Sequence, residues 1–528
     1  MKKQAKGYRL IFGYLGIFLI LIGIITMLPL ILLAFYPGES NCWLSFFIPG
    51  MSTIGLGFLL FLLIYKRERT QLEKFQDSAL LVMIWLSAIL IGSVPFMLRG
   101  YKTPDFAKYR MNFSDAVFES TSGYTSTGLT VFNFDMSYPG YHIYTFYRSI
   151  LLLFGGIGLV LIVTSAISDK YGLKLYTAEG HNDKLMPNLA KSARLILLIY
   201  IGYIILGFLS YWLIGGMEPF DAINHAIAAI ATGGFSTREG GIPEIINEGG
   251  YNSITGWPVN GLAINITSII LMLLGGTNFV LHLFLFKGKL KKILKDSEIN
   301  FFLILSIIMI PLFYTSIFTS LSQQLSVLDS WREGTYLYFS ALTTTGFSTT
   351  TDIKQLGEAA LILSIIAMTI GGGMGSTAGG VKQYRFVVAY KALYWSLRDR
   401  LSSKRKFYPH TIYRLGESKE INKLDFLESY GYLILYVTIM MVGGTIITIL
   451  GKNTDGYSAI ECIFEFASAL SGTGLSVGVT TGVGLPIANA VAIRWVLVFG
   501  MFAGRLELIC IYLAFYRFVR DILRRPTY

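Results

Sequence analysis

The residues of this chain that could do chemistry are hydroxyls beside glycines, and they recur four times. The stretches TSTGLT, ATGGFS, TTTGFS and SGTGLS begin at residues 125, 231, 343 and 471. Each has glycine at the fourth place, Leu or Phe at the fifth and Ser or Thr at the sixth. Backbone carbonyls and hydroxyls can together replace the water around a cation without the deep electrostatic trap of a carboxylate. The pattern therefore predicts a weakly binding cation filter.

The glycines of these stretches follow one another at intervals of a little over one hundred residues. Glycine permits backbone angles that are closed to other residues, so successive carbonyls can turn toward one axis. A single copy could equally be a loop or a helix-packing patch, but four aligned copies favour the filter. The predicted ion ligands are Ser126, Thr127, Gly128, Thr232, Gly233, Gly234, Thr344, Thr345, Gly346, Gly472, Thr473 and Gly474.

Long apolar runs surround the four stretches and must position them. The chain of 528 residues is 53% hydrophobic and 14% charged, which is typical of an integral membrane protein. Three scattered cysteines and five histidines predict neither a disulfide framework nor a metal site. Ten runs are near the roughly 20 residues that span a bilayer, and the eighth is interrupted. They are residues 9–35, 43–65, 79–98, 146–167, 193–215, 260–286, 300–321, 359–396, 428–450 and 486–516.

A segment too short to span precedes each stretch, for example FSDAVFESTSG and YSAIECIFEFASAL. Such segments suit helices that enter the membrane partway and stop, and non-helical backbone at that depth survives only inside protein or beside water. Their negative C-terminal ends would favour a cation on the axis. The predicted unit is a helix, a short re-entrant helix, a filter stretch and a second helix.

The formal net charge of +12 does not indicate nucleic-acid binding in this chain. Basic residues in a membrane protein concentrate in its cytoplasmic segments, and most of the 44 lysines and arginines lie in six segments that fall on one side of a ten-span topology. Both termini are therefore predicted to be cytoplasmic and the filter loops to be outside. The six segments are residues 1–10, 66–74, 168–194, 287–295, 382–423 and 517–528.

The eighth apolar run contains GGGMGSTAGG at residues 371–380. Each glycine there costs up to about 1 kcal/mol relative to alanine in a helix, so unwound backbone across the pathway is predicted, although small residues also allow close helix packing. Lys382 and Arg385 should mark the cytoplasmic exit. The residues predicted to form the gate are Gly371, Gly372, Gly373, Gly375, Ser376, Thr377, Gly379, Gly380, Lys382 and Arg505.

Arg505 is a basic residue deep within the last apolar run. A charge at that depth costs at least about 2.5 kcal/mol and should face a cavity or a partner. A structural ion pair with Glu507 or a neighbouring helix is the alternative. Two residues that are two positions apart on one helix, however, do not face each other easily.

These motifs resemble the TrkH/KtrB/HKT superfamily of potassium transporters, and the two extra N-terminal runs resemble its TrkH branch. The resemblance implies an all-α membrane protein made of four fused, pseudo-fourfold, potassium-channel-like units behind two extra transmembrane helices. The implied boundaries are residues 1–70 for these helices and 71–175, 176–296, 297–423 and 424–528 for the units. In the HKT branch a serine at the first filter glycine accompanies sodium preference, so Gly128 favours potassium.

The resemblance also implies a gating loop at residues 371–380, an arginine facing the pore at Arg505, and location in a bacterial cytoplasmic membrane. Potassium is then the transported ion, and the chain holds no bound organic cofactor. The implied partners are a cytosolic nucleotide-binding subunit of the TrkA or KtrA type, for which the basic stretch 382–423 is a docking surface, and a second copy of the chain.

Two alternatives stay open beside a potassium uptake system. A sodium- or proton-coupled symporter is one, although such carriers more often have inverted repeats, whereas these four have one orientation. An intramembrane serine hydrolase is the remote one, because GLSVG at residues 474–478 matches a nucleophile elbow. That motif needs a histidine partner and a strand, and neither can be identified around Ser476.

Overall fold

Nearly all of the regular structure is α-helical, as the apolar runs predict. Seven described helices are long and apolar enough to cross a bilayer, or eight if one bent pair forms a single span. The computed structural model describes residues 4–5, 7–65, 68–69, 75–101, 103, 105–159, 161, 189–321, 324–401, 409–451 and 457–523. The predicted boundary between residues 175 and 176, and most of the basic segment 168–194, lie outside these residues.

Two N-terminal helices precede the repeated units, as predicted. The first, Tyr8–Met27, continues as a 3-10 helix over Leu28–Ala34, and the second is Trp43–Phe61. They approach so closely that a Cβ atom on Gly16 would lie 2.6 Å from the carbonyl oxygen of Gly57. Small residues at the contact allow this backbone approach in a membrane.

Four sets of three helices follow, and we call them units 1 to 4. Each set has a long first helix, a short helix and a second helix. Unit 1 comprises Gln76–Met97, Phe113–Tyr124 and Tyr141–Ile157; unit 2, Leu189–Leu209, Pro219–Ile230 and Gly261–Gly276; unit 3, Ser297–Leu321, Val327–Leu342 and Glu358–Ile370; unit 4, Lys423–Gly451, Ala459–Ser471 and Ile487–Arg505.

The short helices have defined starts. The side chains of Asn112, Ser326 and Ser458 each accept a hydrogen bond from the backbone N–H three residues on, and Ser458 forms a capping box with Glu461. These caps satisfy orphan N–H groups of the first turn. With 12 to 16 residues each, the short helices cannot cross a bilayer that needs about 20.

The predicted interruption of the eighth run is present, between Ile370 and Gln383, and the structure adds breaks in other runs, because each second helix ends at or next to a glycine or an arginine. Tyr141–Ile157 ends at Gly158, which has φ 91°. Gly261–Gly276 turns by 110° into Phe279–Phe286, where the Asn278 side chain caps the new helix. Ile487–Arg505 is separated from Leu508–Leu523 by two residues, and Glu507 there has φ 58°.

Within the basic stretch 382–423, most of the described residues, 382–401 and 409–423, are in regular secondary structure. It contains the helix Gln383–Leu401 and an antiparallel hairpin of the strands Thr411–Arg414 and Glu417–Glu420. The all-α prediction did not include this hairpin. A second, parallel pair joins Gln4–Ala5 to Glu68–Arg69.

The remaining described helices are short connections, and the buried core falls into two main clusters. One cluster unites the N-terminal helices with units 1 and 2, and the other lies mainly in units 3 and 4. The connections are Phe106–Tyr109, Gly241–Glu248 and Leu290–Leu294, the 3-10 helices Pro37–Cys42 and Ile353–Leu356, and the π-helical turn Ser210–Ile214.

Candidate ion filter and intramembrane loop

The four predicted filter stretches meet in a closed ring. A Cβ atom on each fourth-place glycine would collide with a carbonyl oxygen of the next unit, and the fourth unit returns to the first. These distances are 2.3 Å from Gly128 to Gly233, 2.2 Å from Gly234 to Thr345, 1.9 Å from Gly346 to Thr473 and 2.1 Å from Gly474 to Thr127. A side chain therefore cannot replace glycine at any of the four positions without displacing backbone.

In all four units, residues of the ring with a left-handed backbone conformation alternate with residues without one. The glycines Gly128, Gly234, Gly346 and Gly474 have φ of 95°, 61°, 86° and 89°. The residues two positions earlier are also left-handed, whereas those between are not. Such alternation turns successive carbonyls toward the same side of the strand, which is the geometry that a carbonyl-lined ion path needs. The earlier residues are Ser126, Thr232, Thr344 and Gly472, with φ of 54°, 48°, 51° and 68°.

The same hydrogen bond ties every stretch to its short helix. The backbone N–H before each fourth-place glycine donates to a carbonyl of the helix at 2.9 Å, from Thr127 to Ser122, Gly233 to Ala228, Thr345 to Ser340 and Thr473 to Ser468. The four filter stretches thus have the same backbone anchor.

Their hydroxyls are not equivalent. Thr127, Thr345 and Thr473 each pair with the hydroxyl two residues earlier at 2.6 to 2.8 Å. Unit 2 has Gly233 at this place and contributes no hydroxyl there.

Two buried carboxylates support the ring from behind, and the sequence reasoning missed both. Glu119 and Glu465 lie in the short helices of units 1 and 4, each nine residues before the filter glycine, and both are 0% exposed. Each accepts a hydrogen bond from the hydroxyl two residues after that glycine, Thr130 at 2.9 Å and Ser476 at 2.7 Å. Their equal spacing was the available signal.

The partners of the two carboxylates differ. Glu119 accepts from Arg148 Nε at 2.6 Å, and both side chains are fully buried. Arg148 also donates to the carbonyl of Ser236 in unit 2 at 2.9 Å, so the ion pair links two units beside the filter. Glu465 accepts from the neutral N–H groups of Val477 and Thr480 at 2.9 and 3.0 Å. Ser476 is therefore a donor to a carboxylate, which does not match the serine of a nucleophile elbow.

A vestibule of about 540 Å³ opens on one side of the ring and is lined by all four filter glycines. Three arginines also line it, Arg148, Arg238 and Arg494. Arg494 pairs with Asp115 of unit 1, and Arg238 lies 3.4 Å from Asp221. Acidic partners thus offset the positive charge at this mouth.

Residues 371–380 have no helical structure and lie against the other side of the ring. The N–H of Gly379 donates to Thr344 Oγ1 at 2.6 Å, and Thr232 Oγ1 donates to Thr377 Oγ1 at 3.1 Å. The N–H of Gly380 donates to the carbonyl of Ser471 at 3.1 Å. The loop therefore touches three units directly below the filter stretches.

The broken second helix of unit 2 holds the loop from the side. The N–H groups of Gly373 and Thr377 donate to the carbonyls of Gly276 and Gly275 at 2.9 and 3.1 Å. The side chain of Asn278, at the bend, donates to the carbonyl of Met374. Between the loop and the ring remains a cavity of about 50 Å³, lined in part by Ser126, Gly472 and the loop itself.

Arg505 lies at this cavity, as the sequence predicted. Its guanidinium donates to the carbonyl of Thr377 in the loop at 3.3 Å, to that of Gly156 in unit 1 at 2.9 Å, and to that of Gly155. Glu507 accepts from Arg385 at 3.0 Å, and the ion pair proposed for Arg505 and Glu507 stays a prediction.

Lys382 was expected to mark an exit but does not extend away from the loop. It turns back, donates from Nζ to the carbonyl of Ala378 and lines the same cavity. Two basic side chains, Lys382 and Arg505, therefore lie together at the end of the cavity below the ring.

The chain is similar to known proteins over nearly its whole length. A family model described as TrkH, cation transport protein, matches residues 45–520. An uncharacterized cation transporter of Methanocaldococcus jannaschii is 30% identical over 519 residues, which is 97% of this chain and 96% of that protein. The Trk system potassium uptake protein TrkH of Escherichia coli K12 is 28% identical over 463 residues, with 85% and 87% covered. The crystal structure of the potassium transporter TrkH from Vibrio parahaemolyticus has the same fold, with a TM-score of 0.75 over 99% of both chains at 23% identity.

Proposed function

Since the chain belongs to the TrkH family of cation transport proteins, we propose that it carries potassium into the cell through the ring of four filter stretches. It is a transporter and not an enzyme. The observation that carries the proposal is the closed ring, in which every fourth-place glycine lies against a carbonyl of the next unit. Carbonyls and threonine hydroxyls are ligands that bind a dehydrated cation weakly enough to release it.

Potassium is the proposed substrate because all four glycines are present, Gly128 included, and because relatives with this fold are named for potassium uptake. Purified protein in liposomes should pass potassium and its tracer rubidium well above sodium. Equal rates for sodium would refute the selectivity proposal and leave the ring as a general cation path.

The same preparation separates a passive path from a coupled one. Potassium, sodium and proton gradients are imposed one at a time, and rubidium uptake is followed. Uptake driven by the rubidium gradient alone supports electrodiffusion. Uptake that requires a sodium or proton gradient would instead favour a symporter.

We propose residues 371–380 and Arg505 as the gate. The loop fills the space below the ring, and the fixed charge of Arg505 repels a cation in the small cavity. Deleting residues 373–378 should raise rubidium flux strongly and keep the preference for potassium, because the filter stretches are untouched. A folded deletion variant that conducts no better than the unmodified protein would refute the gate.

Control of this gate is proposed to come from a cytosolic nucleotide-binding subunit of the TrkA or KtrA type. Relatives are named as members of a Trk system, and the basic region 382–423 provides a docking surface. Dimerisation, cytoplasmic termini and a place in the cytoplasmic membrane belong to the same proposal. Accessibility of single cysteines introduced near residues 420 and 350 tests the topology, since only the former should react from the cytoplasmic side.

A further inference from the structure

The hairpin of Thr411–Arg414 and Glu417–Glu420 is joined to the start of unit 3 at its turn. Arg414 Nε donates to Glu298 Oε1 at 2.6 Å. The next residue, Leu415, donates its N–H to Asp296 Oδ2 at 2.8 Å. Two acidic side chains at the beginning of one long helix therefore hold the turn of the hairpin.

Glu298 has a second contact, and this one lies in the loop. Its other oxygen, Oε2, accepts a hydrogen bond from the N–H of Met374 at 2.9 Å. Glu298 is 3% exposed, so bulk water does not compete with its partners in either contact. Hydrogen bonds to a charged group are about twice as strong as neutral ones. One buried carboxylate thus bridges the hairpin and residues 371–380.

Arg414 also reaches the segment that follows the loop. Its guanidinium carbon lies 4.5 Å from the centre of the Tyr384 ring, within the range of a cation–π contact. Arg414 is therefore connected to the loop indirectly, through Glu298, which binds the N–H of Met374, and it also contacts Tyr384, four residues after the loop ends. The strand Glu417–Glu420 is exposed at every residue, whereas Ile412 of its partner strand is buried. The strand Glu417–Glu420 is therefore the exposed strand of the hairpin, and the strand Thr411–Arg414 is the one that packs on the protein.

We propose that Glu298 and Arg414 are positioning residues that hold the loop across the ion path and couple it to the exposed hairpin. The inference rests on the proposed gate. When Arg414 is drawn away from Glu298, the carboxylate becomes a buried charge without that partner, which is strongly unfavourable. Its hold on the N–H of Met374 is then lost as the side chain turns toward water. A force on the hairpin thereby loosens the loop without touching the filter.

The test measures rubidium flux through purified protein in liposomes, with no other subunit present. Arg414→Gln and Glu298→Ala should each raise the flux about tenfold, which corresponds to about 1.4 kcal/mol taken from the closed arrangement. Arg414→Lys, which keeps the charge, should restore most of the closed behaviour. The double variant should raise the flux by much less than the product of the two single effects, because both changes break the connection between Glu298 and Arg414. The ratio of rubidium to sodium flux should not change in any of them.

Asp521→Asn is the matched control, because it breaks an ion pair with Arg517 that lies outside the loop and the ring. An equal rise of flux in this control would overturn the inference, since any loss of an ion pair would then suffice. Unchanged flux in folded Arg414→Gln, with a raised flux in the 373–378 deletion, overturns the inference and leaves the gate standing. Unchanged flux in the deletion overturns the gate itself. If Glu298→Ala does not fold, the fluxes of Arg414→Gln and Arg414→Lys alone test the inference.

Discussion

Glu119→Gln is expected to destabilise the protein far more than Glu465→Gln, although the two sites correspond in units 1 and 4. Each substitution keeps the side-chain shape and places an amide group among hydrogen-bond donors, which costs about 1–3 kcal/mol. For Glu119→Gln a larger cost applies in place of this one, because the change removes the carboxylate from Arg148, a residue that is 1% exposed. Breaking a buried ion pair from one side costs about 3–5 kcal/mol. The two variants should therefore differ by about 2 kcal/mol.

The free energy of unfolding, measured by denaturant titration in mixed micelles, checks this difference. Glu119→Gln combined with Arg148→Gln removes both charges and should recover part of the stability lost in Glu119→Gln alone. Because Arg148 also holds the carbonyl of Ser236, Glu119→Gln should lower the ratio of rubidium to sodium flux as well. Equal losses in the Glu119 and Glu465 variants, with no recovery in the double variant, would refute the argument from the buried charge.

Three further changes act on the ring and its gate. Gly128→Ser should admit sodium in a liposome flux assay, because its Cβ atom would lie 2.3 Å from the carbonyl of Gly233 and must shift it. Gly346→Ala should abolish potassium flux while the protein remains membrane-inserted, since its Cβ atom would lie 1.9 Å from the carbonyl of Thr473 at φ 86°. Arg505→Ala should raise flux through loss of a fixed charge. Unchanged flux with a lower melting temperature would instead make Arg505 a structural residue.

The ring was predictable from the sequence because its requirement is local and repeated. One pattern between apolar runs repeats around Gly128, Gly234, Gly346 and Gly474. Glycine adopts a left-handed φ more readily than other residues, so the pattern indicates such backbone. The units and the two extra helices follow from hydropathy and length. Residues 371–380 were predictable because six glycines in ten residues disfavour a helix whatever surrounds them.

The supports of the ring and loop were not predictable, because they depend on contacts between distant residues. Arg148 was not singled out, since a basic residue near the end of an apolar run is ordinarily read as an interfacial one. Glu298 and Arg414 are separated by more than one hundred residues, and neither position carries a repeat. Lys382 has a positive φ of 80°, and its side chain turns back to the carbonyl of Ala378. A lysine in the sequence does not indicate such a backbone conformation.

The breaks in the second helices explain how a loop in one unit can be held by the others. A helix that ends inside the protein leaves its last carbonyls without partners in the helix, and buried carbonyls need donors from elsewhere. In unit 2 these carbonyls belong to Gly275 and Gly276, and the loop supplies the donors. In unit 1 the carbonyls of Gly155 and Gly156 receive Arg505, which ends the helix of unit 4 and also binds the loop. The breaks in the second helices therefore provide the carbonyl acceptors and the arginine side chain, Arg505, that hold the loop in place. When the loop is released, water that enters the cavity must form hydrogen bonds with these groups instead.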